Sequence, residues 1–302
     1  DVYKRQTYDC SVNRLQSFVT DNNIAGDNLP RLINNFAQLM TSWQIVMGFI
    51  KEEINTYGFN GGVIALSGGL DSSIVSILYY QALDGKIRLL FMPYGESIIA
   101  SKDASSVASL LNLPLETYNL KEIADKIFLE RKIDDKLRRG NILARLRMSL
   151  LFDVSAREKA LVIGTSNKSE LLIGYSTWFG DSAAGIQPIG DLYKTQVSEL
   201  AKCVGVPDEI IKKPPSAALW EGQSDEEEIG ISYDDLDKIL YLYVDKRFNE
   251  EEIINVGFEA NLVRKVILNT KKALYKLRTP VICKLSDRTI GIDYRYIKEA
   301  GI

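Results

Sequence analysis

The segment Ser67-Gly68-Gly69-Leu70-Asp71-Ser72-Ser73 packs two glycines, three hydroxyls and one carboxylate into a short run. Paired glycines let a backbone turn sharply and approach an anion, and the free amides that open a following helix can face the same anion. The hydroxyls of Ser67, Ser72 and Ser73 can add donors, so phosphate is the natural guest. No Gly-Lys-Ser/Thr follows, which excludes the Walker-type loop used for terminal phosphoryl transfer. Asp71 would repel a phosphate unless a cation intervened, and a magnesium ion bridging the two removes the conflict. A lone Gly-Gly would need no more than a tight strand–helix turn capped by Asp; the whole heptad favours the phosphate reading.

A second group begins at Gly164-Thr165-Ser166-Asn167-Lys168-Ser169-Glu170, where a hydroxyl and a carboxylate stand about one helical turn apart. Alone it reads equally well as a capped helix start. Gly174-Tyr175-Ser176-Thr177-Trp178-Phe179-Gly180-Asp181 and Pro188-Ile189-Gly190-Asp191-Leu192-Tyr193-Lys194-Thr195 come soon after. Lys194 is a point charge suited to phosphate. Arg145 and Arg147 fit a basic helix face, for which solvation is the commoner reading.

The 302-residue chain has no histidine, which removes Ser-His-Asp and Cys-His catalysis and His-ligated metals together. Chemistry must then come from carboxylates, lysine, arginine, hydroxyls, amides and a hard metal ion. Cys10, Cys203 and Cys283 are far apart and form no CxxC, which favours a reducing cytoplasm over a structural zinc site. A net charge of −3, from 37 basic and 40 acidic residues, gives no pull toward nucleic acid or anionic membrane. No apolar run approaches the roughly 20 residues of a bilayer span.

These groups must be held by an α/β fold. Short apolar strands at 63–66, 87–92, 115–119 and 161–163 alternate with helical patterns at 43–57, 72–82, 101–111 and 141–157. That alternation predicts a Rossmann-like parallel sheet with helices on both faces, followed by a helical C-terminal part from Ser232. Ligands in such sheets sit beyond the carboxyl ends of the strands, where both motifs fall. Residues 1–40 read as an N-terminal appendage, partly disordered, and 41–302 as one domain. The segment 213–230, rich in Pro, Gly, Ser and acidic residues, reads as a lid over a nucleotide.

The heptad resembles the PP-loop of the ATP pyrophosphatase superfamily, whose members adenylate a substrate oxygen and release pyrophosphate. Together with the segments at 164–170, 174–181 and 188–197, Arg139 to Met148, Lys213 to Glu226 and Lys284 to Thr289, the sequence is similar to NAD synthetases from about Trp43 onward. That resemblance implies an adenine nucleotide alpha hydrolase-like fold and amidation of nicotinic acid adenine dinucleotide (deamido-NAD). It implies that ATP is bound by Ala65, Leu66, Ser67, Gly68, Gly69, Leu70, Asp71, Ser72, Thr165, Lys194 and Ser216. Asp71 and Glu170 would hold Mg2+, while Arg145 and Lys276 would meet the dinucleotide. Asp181, flanked by Gly180 and Ser182, is the candidate to bind or deprotonate ammonium, with an Asx-turn as the alternative.

Trp178, Gly185 and Tyr275 depart from the short ammonia-dependent enzymes, which usually carry Lys, Asp and His there. Packing aromatic and turn glycine suffice for the first two, and Tyr275-Lys276 looks more like the synthetase domain of glutamine-dependent enzymes. The first residue is Asp rather than Met, consistent with a fragment or an altered N-terminus. About forty residues precede the synthetase region, too few for an amidase domain, so free ammonia is expected as nitrogen source, with a separate glutaminase as the other route. A cytoplasmic homodimer is expected from the resemblance. The rival readings are another PP-loop ligase, for example a tRNA-modifying one, and a catalytically silent nucleotide-binding module.

Overall fold

The computed structural model describes residues 36–216, 223–278 and 280–290. Most of the expected N-terminal appendage, with Cys10, and the closing stretch from 291 lie outside the described residues. Helix α1 (Phe36–Thr56) runs into β1 (Gly62–Ala65), α2 (Leu70–Leu83), β2 (Ile87–Phe91), α3 (Ile98–Leu110) and β3 (Leu115–Thr117). Helices α4 (Lys121–Glu130) and α5 (Lys136–Glu158) then lead to β4 (Leu161–Val162). Among the described residues the strands form one parallel sheet in the order β3-β2-β1-β4, with Gly62 paired to Ile87 on one side and Leu161 on the other. Helical crossovers supply the length that parallel pairing requires.

The strands alternate between two cores because successive side chains point to opposite faces. Ile64, Leu66, Leu89, Phe91 and Ile163 pack with α1, α2 and α3. Val63, Leu90, Met92 and Val162 pack with Phe128 of α4 and Leu143, Leu151 and Val154 of α5. The expected doubly covered α/β sheet is therefore present. β3 stops at Thr117 rather than 119, because the Asn119 side chain accepts the amides of Gly95 (3.2 Å) and Lys121 (2.9 Å) and turns the chain. Helix α4 had no counterpart in the sequence reading. Its apolar residues Ile123, Ala124, Ile127 and Phe128 recur at helical spacing, and Ala124 and Phe128 are the buried ones.

Helix α6 (Lys168–Ile173) follows β4, and α7 (Lys194–Val204) and α8 (Asp208–Ile211) come after a long loop. The C-terminal part is helical, as expected: α9 (Asp225–Ile229), α10 (Tyr233–Leu240), a wider π-type turn at Tyr241–Asp245, α11 (Glu250–Asn255) and α12 (Ala260–Ala273). It has its own core of Leu236, Ile239, Leu240, Ile253, Val263 and Val266, onto which Leu172 and Ile173 of α6 pack. No helix among the described residues is long and apolar enough to cross a membrane.

At the start of β1 the sheet meets α2 with no space to spare. A Cβ on Gly62 would stand 2.7 Å from the Tyr79 ring, itself fully buried, and 2.9 Å from Ile163. Gly62→Ala should lower the stability of the protein by roughly 1–3 kcal/mol through overpacking. Urea unfolding followed by circular dichroism measures this, and an unchanged midpoint would show the contact to be looser than the structure has it.

Candidate functional site

The loop after β1 is built by its glycines and tied by its own serines. Gly68 lies at φ +84°, in the left-handed region, and an added Cβ would sit 2.6 Å from the Ala100 carbonyl oxygen of α3. Leu66 is anchored to the sheet, its amide donating to Leu90 O at 2.8 Å, and half-buried Ala65 precedes it. The Ser67 amide donates to Ser72 Oγ (3.2 Å), and the Gly69 amide donates to Ser67 Oγ (3.2 Å). Ser72 and Ser73 donate to the Gly69 carbonyl at 3.1 and 2.7 Å. The hydroxyls expected to face an anion are thus largely occupied in shaping the loop. What remains for an anion is the first turn of α2, from Leu70 to Ser72, whose amides have no carbonyl within their helix.

Three segments converge beside that turn. Lys194, the first residue of α7, is 7 % exposed, and its ammonium contacts the Asp71 carboxylate and lies 3.9 Å from Glu170 Oε1. Asn167 joins them: its side-chain amide donates to Asp71 at 3.3 Å, while Asn167 and Glu170 form a reciprocal capping box at the start of α6. Burial works against the Lys194 ammonium, but Asp71 and Glu170 outweigh it and hold its pKa above the usual 10.5. Burial first, and then the charge of Asp71, pushes Glu170 well above the ordinary carboxylate value of 4.5, with Lys194 opposing. With both carboxylates ionised around one ammonium, the cluster would be one positive charge short.

That arithmetic suits a further cation, and the donor set suits a hard one. Magnesium typically takes one or two carboxylates together with water and phosphate oxygens rather than an all-protein cage. Asp71 and Glu170 fit that pattern. Among the described residues no group of three or more His, Cys, Asp or Glu side chains is arranged to hold a metal ion.

The segment 174–185 is pinned from two sides. Thr177 donates its hydroxyl to Asn141 Oδ1 at 2.7 Å and its amide to Asp181 Oδ1 at 2.8 Å. Lys276 donates to the carbonyls of Gly174 and Ser176, both at 2.6 Å. Exposed Arg145 donates to Trp178 O at 3.2 Å. Arg147 is not on a solvated face, contrary to expectation: it is half-buried and donates to Met92 O at 3.0 Å, across from β2. Protein crowding raises the Asp181 carboxyl, with Lys276 opposing, although the residue keeps contact with solvent. Burial lowers Lys276 below 10.5 against the pull of Asp181. Asp181, Lys276 and Arg147 therefore share one electrostatic neighbourhood.

The unusual positions find plain roles here. Trp178 stacks on Phe179 with centroids 4.5 Å apart and meets Tyr275 edge-on at 5.3 Å. At Gly185 a Cβ would lie 2.6 Å from Leu161 Cγ, so glycine suits the close approach to β4. Thr165 stands half-buried at the exit of β4, and Ser216 is exposed on the segment expected as a lid. Residues 217–222 of that segment lie outside the described residues. Its two ends are tied down: Lys213 pairs with Asp103 of α3, the Asp225 amide donates to Pro215 O at 3.1 Å, and the Tyr175 hydroxyl lies 3.0 Å from Asp225.

Two residues of α10 touch this site without any signal in the sequence that marked them. Tyr233 places its ring 5.7 Å from the Lys194 ammonium. Asp237, fully buried, accepts from Thr195, which follows Lys194, and from Ser169, which precedes Glu170. Both sit on the inner face of an otherwise ordinary amphipathic helix, so only the fold reveals their reach.

A glycine-turned loop leading into a helix start, with a nearby carboxylate pair at the carboxyl ends of parallel strands, is the arrangement of a nucleotide-binding α/β protein of the PP-loop type. The family model for NAD synthase matches residues 42–280, and the chain belongs to that family. It is 45 % identical over 257 residues to an NH(3)-dependent NAD(+) synthetase of Chlorobaculum tepidum, covering 84 % of this chain and 93 % of that one. A solved NH3-dependent NAD synthetase of Campylobacter jejuni superposes with a TM-score of 0.71 at 32 % identity, over 82 % of this chain and 99 % of the other. An NMN synthetase of Francisella tularensis gives 0.73 at 28 % identity, over 81 % and 98 %.

The Glu170 shift fixes the sign of a pH effect. Its folded-state pKa lies above its unfolded value of 4.5, so the metal-free folded protein holds a proton that the unfolded chain releases. That contribution to stability is full below about pH 4.5 and is lost as pH rises through the higher folded value. Glu170→Gln should therefore flatten the decline in stability of the metal-free protein between mildly acidic and neutral pH. Thermal melts of both proteins across that range check it, and parallel profiles would show that Glu170 ionises normally.

Proposed function

We propose that this chain amidates deamido-NAD to NAD with ATP and free ammonia, releasing AMP and pyrophosphate. Family membership supports this reading, and the observation that carries it is Lys194 drawing Asp71 of the phosphate loop and Glu170 of α6 to one point. A silent binding module has no evident use for that carboxylate pair. The acidic charge balance and the missing CxxC tell against a tRNA-modifying ligase.

The chemistry follows from the substrates. A nicotinate carboxylate is a poor acyl donor, because its leaving group would be oxide. Its oxygen attacks the α-phosphorus of ATP, the bond to the bridging oxygen breaks and pyrophosphate leaves, giving an acyl-adenylate. Ammonia then attacks the carbonyl carbon and AMP departs. In this proposal the first amides of α2 and the Lys194 ammonium receive the pyrophosphate charge, and Thr165 and Ser216 complete the ATP contacts. Asp71 and Glu170 would hold Mg2+, which, when bound, neutralises charge on the leaving pyrophosphate. Arg145 and Lys276 line the dinucleotide side, and Asp181, oriented by the Thr177 amide, takes the proton that ammonium must lose.

The two thiols among the described residues support free ammonia. Burial pushes Cys203 up to about 12, Cys283 is exposed, and the chain has no histidine to activate either. A cytoplasmic homodimer, with no nucleic-acid or membrane partner and with an optional separate glutaminase, completes the proposal.

Purified protein given ATP, Mg2+, deamido-NAD and ammonium should yield NAD, AMP and pyrophosphate; ADP with orthophosphate would overturn the phosphate-loop reading. The nicotinate mononucleotide, offered in place of deamido-NAD, should be the poorer substrate by kcat/KM. Contaminant-free glutamine should not replace ammonium, and equal NAD formation from it would defeat the free-ammonia claim. Asp71→Asn and Glu170→Gln should stay folded but each lose about 10²-fold or more in turnover, as other preorganised electrostatic groups do. A folded variant with normal turnover would remove its residue from the proposed metal site.

A further inference from the structure

We propose that Asp237, in the C-terminal helical part, is a positioning residue that locks the first turns of α6 and α7 together and so sets Glu170 and Lys194 around the phosphate site. The proposal rests on the reading that those two residues serve ATP and its metal.

The geometry is a closed relay. Asp237 Oδ2 accepts the Thr195 amide at 2.8 Å and the Thr195 hydroxyl at 2.7 Å. Its Oδ1 accepts the Ser169 hydroxyl, and Ser169 Oγ in turn accepts the Lys194 amide at 2.9 Å. One carboxylate thereby holds the residue before Glu170 and the residue after Lys194. Its hydrogen-bond partners, the Thr195 amide and hydroxyl and the Ser169 hydroxyl, are all donors, so a carboxylate is the matching group; an amide would turn its own N–H groups toward one of them. A purely structural need at this point in the helix would be met by an apolar side chain, as at Leu236, Ile239 and Leu240, each fully buried beside it. A buried carboxylate is costly unless its hydrogen bonds are made, and here they are made to the two functional helices.

One turn earlier on the same face, Tyr233 underlies the Lys194 ammonium, and its hydroxyl is buried without a hydrogen-bond partner among the described residues. Thus α10 meets the site at positions i and i+4, the spacing that puts two side chains on one helix face. Because Ser169 and Thr195 are covalent neighbours of Glu170 and Lys194, a slip of either helix moves both functional groups. Displacements of about 1 Å in reacting groups can cost about 10²-fold in rate.

The test compares Asp237→Asn and Ser169→Ala with Lys194→Met and with Thr270→Val. Thr270 is a buried hydroxyl in the same helical part whose partner is its own helix, through Val266 O at 3.0 Å. Asp237→Asn and Ser169→Ala should each raise the KM for ATP and the Mg2+ concentration for half-maximal rate by about tenfold. The KM for deamido-NAD and for ammonium should stay within about twofold, and Thr270→Val should match wild type in all of them. Ser169→Ala leaves Asp237 in place and decides the matter if Asp237→Asn does not fold. Normal ATP and Mg2+ dependence in a folded Ser169→Ala overturns the proposal. So does an equal rise in every KM, shared with Thr270→Val, which marks a general structural role. If Lys194→Met itself keeps a normal KM for ATP, the assignment of Lys194 fails, and the relay falls with it.

Discussion

Lys194 carries a positive charge with almost no access to water, and the site is arranged around that fact. Removing an isolated ion from water costs several kcal/mol even after a protein relaxes around it, so the ammonium is tolerable only because two carboxylates meet it. Asp71 comes from the start of α2, Glu170 from the start of α6 and Lys194 from the start of α7. The attraction among them draws together three strand-exit or loop-exit segments that the sheet alone would leave merely near one another. Burial first, and then the neighbouring charge of Asp71, hold Glu170 toward its protonated form. A divalent cation arriving with a nucleotide would relieve that repulsion, which couples metal, nucleotide and ionisation in one small volume.

Around this centre the polar groups are spent first on structure. The serines of the phosphate loop accept and donate within the loop itself, so that the first-turn amides of α2 are left as the outward-facing donors. The segment 174–185 follows the same logic. Asn141, Lys276 and Arg145 each reach backbone or hydroxyl groups of that segment. A loop carrying Asp181 is thereby held by a helix on one side and the C-terminal part on the other. Preorganisation of this kind lets few groups act on a substrate without rearranging when it arrives.

The C-terminal helices would look like a separate covering layer if only their core were considered. Tyr233 and Asp237 show otherwise, because they project from that layer onto Lys194, Thr195 and Ser169. Packing of Leu172 and Ile173 of α6 into the same core adds an apolar bond between the layer and the site.

The chemistry-bearing loops were legible in the sequence because they are local. A glycine pair between an apolar strand and a helix can be read from neighbouring residues, and so can the alternation that builds a parallel sheet. Asp71 stands out within its own heptad, Glu170 and Lys194 come from the resemblance to NAD synthetases, and the structure brings the three side chains together. Other features depend on what lies across the fold. Arg147 reads as a solvated residue until β2 is seen behind it. Gly185 is explained by Leu161, a residue of another strand. Asp237 is the clearest case: it stands 68 positions from Ser169 and 42 from Thr195, and nothing in its own neighbourhood distinguishes it from any acidic residue on a helix. Local backbone preference and hydrophobic period determine elements and loops. Which buried charge meets which partner is decided only by long-range packing, because burial makes a charge costly until the folded chain supplies its complement.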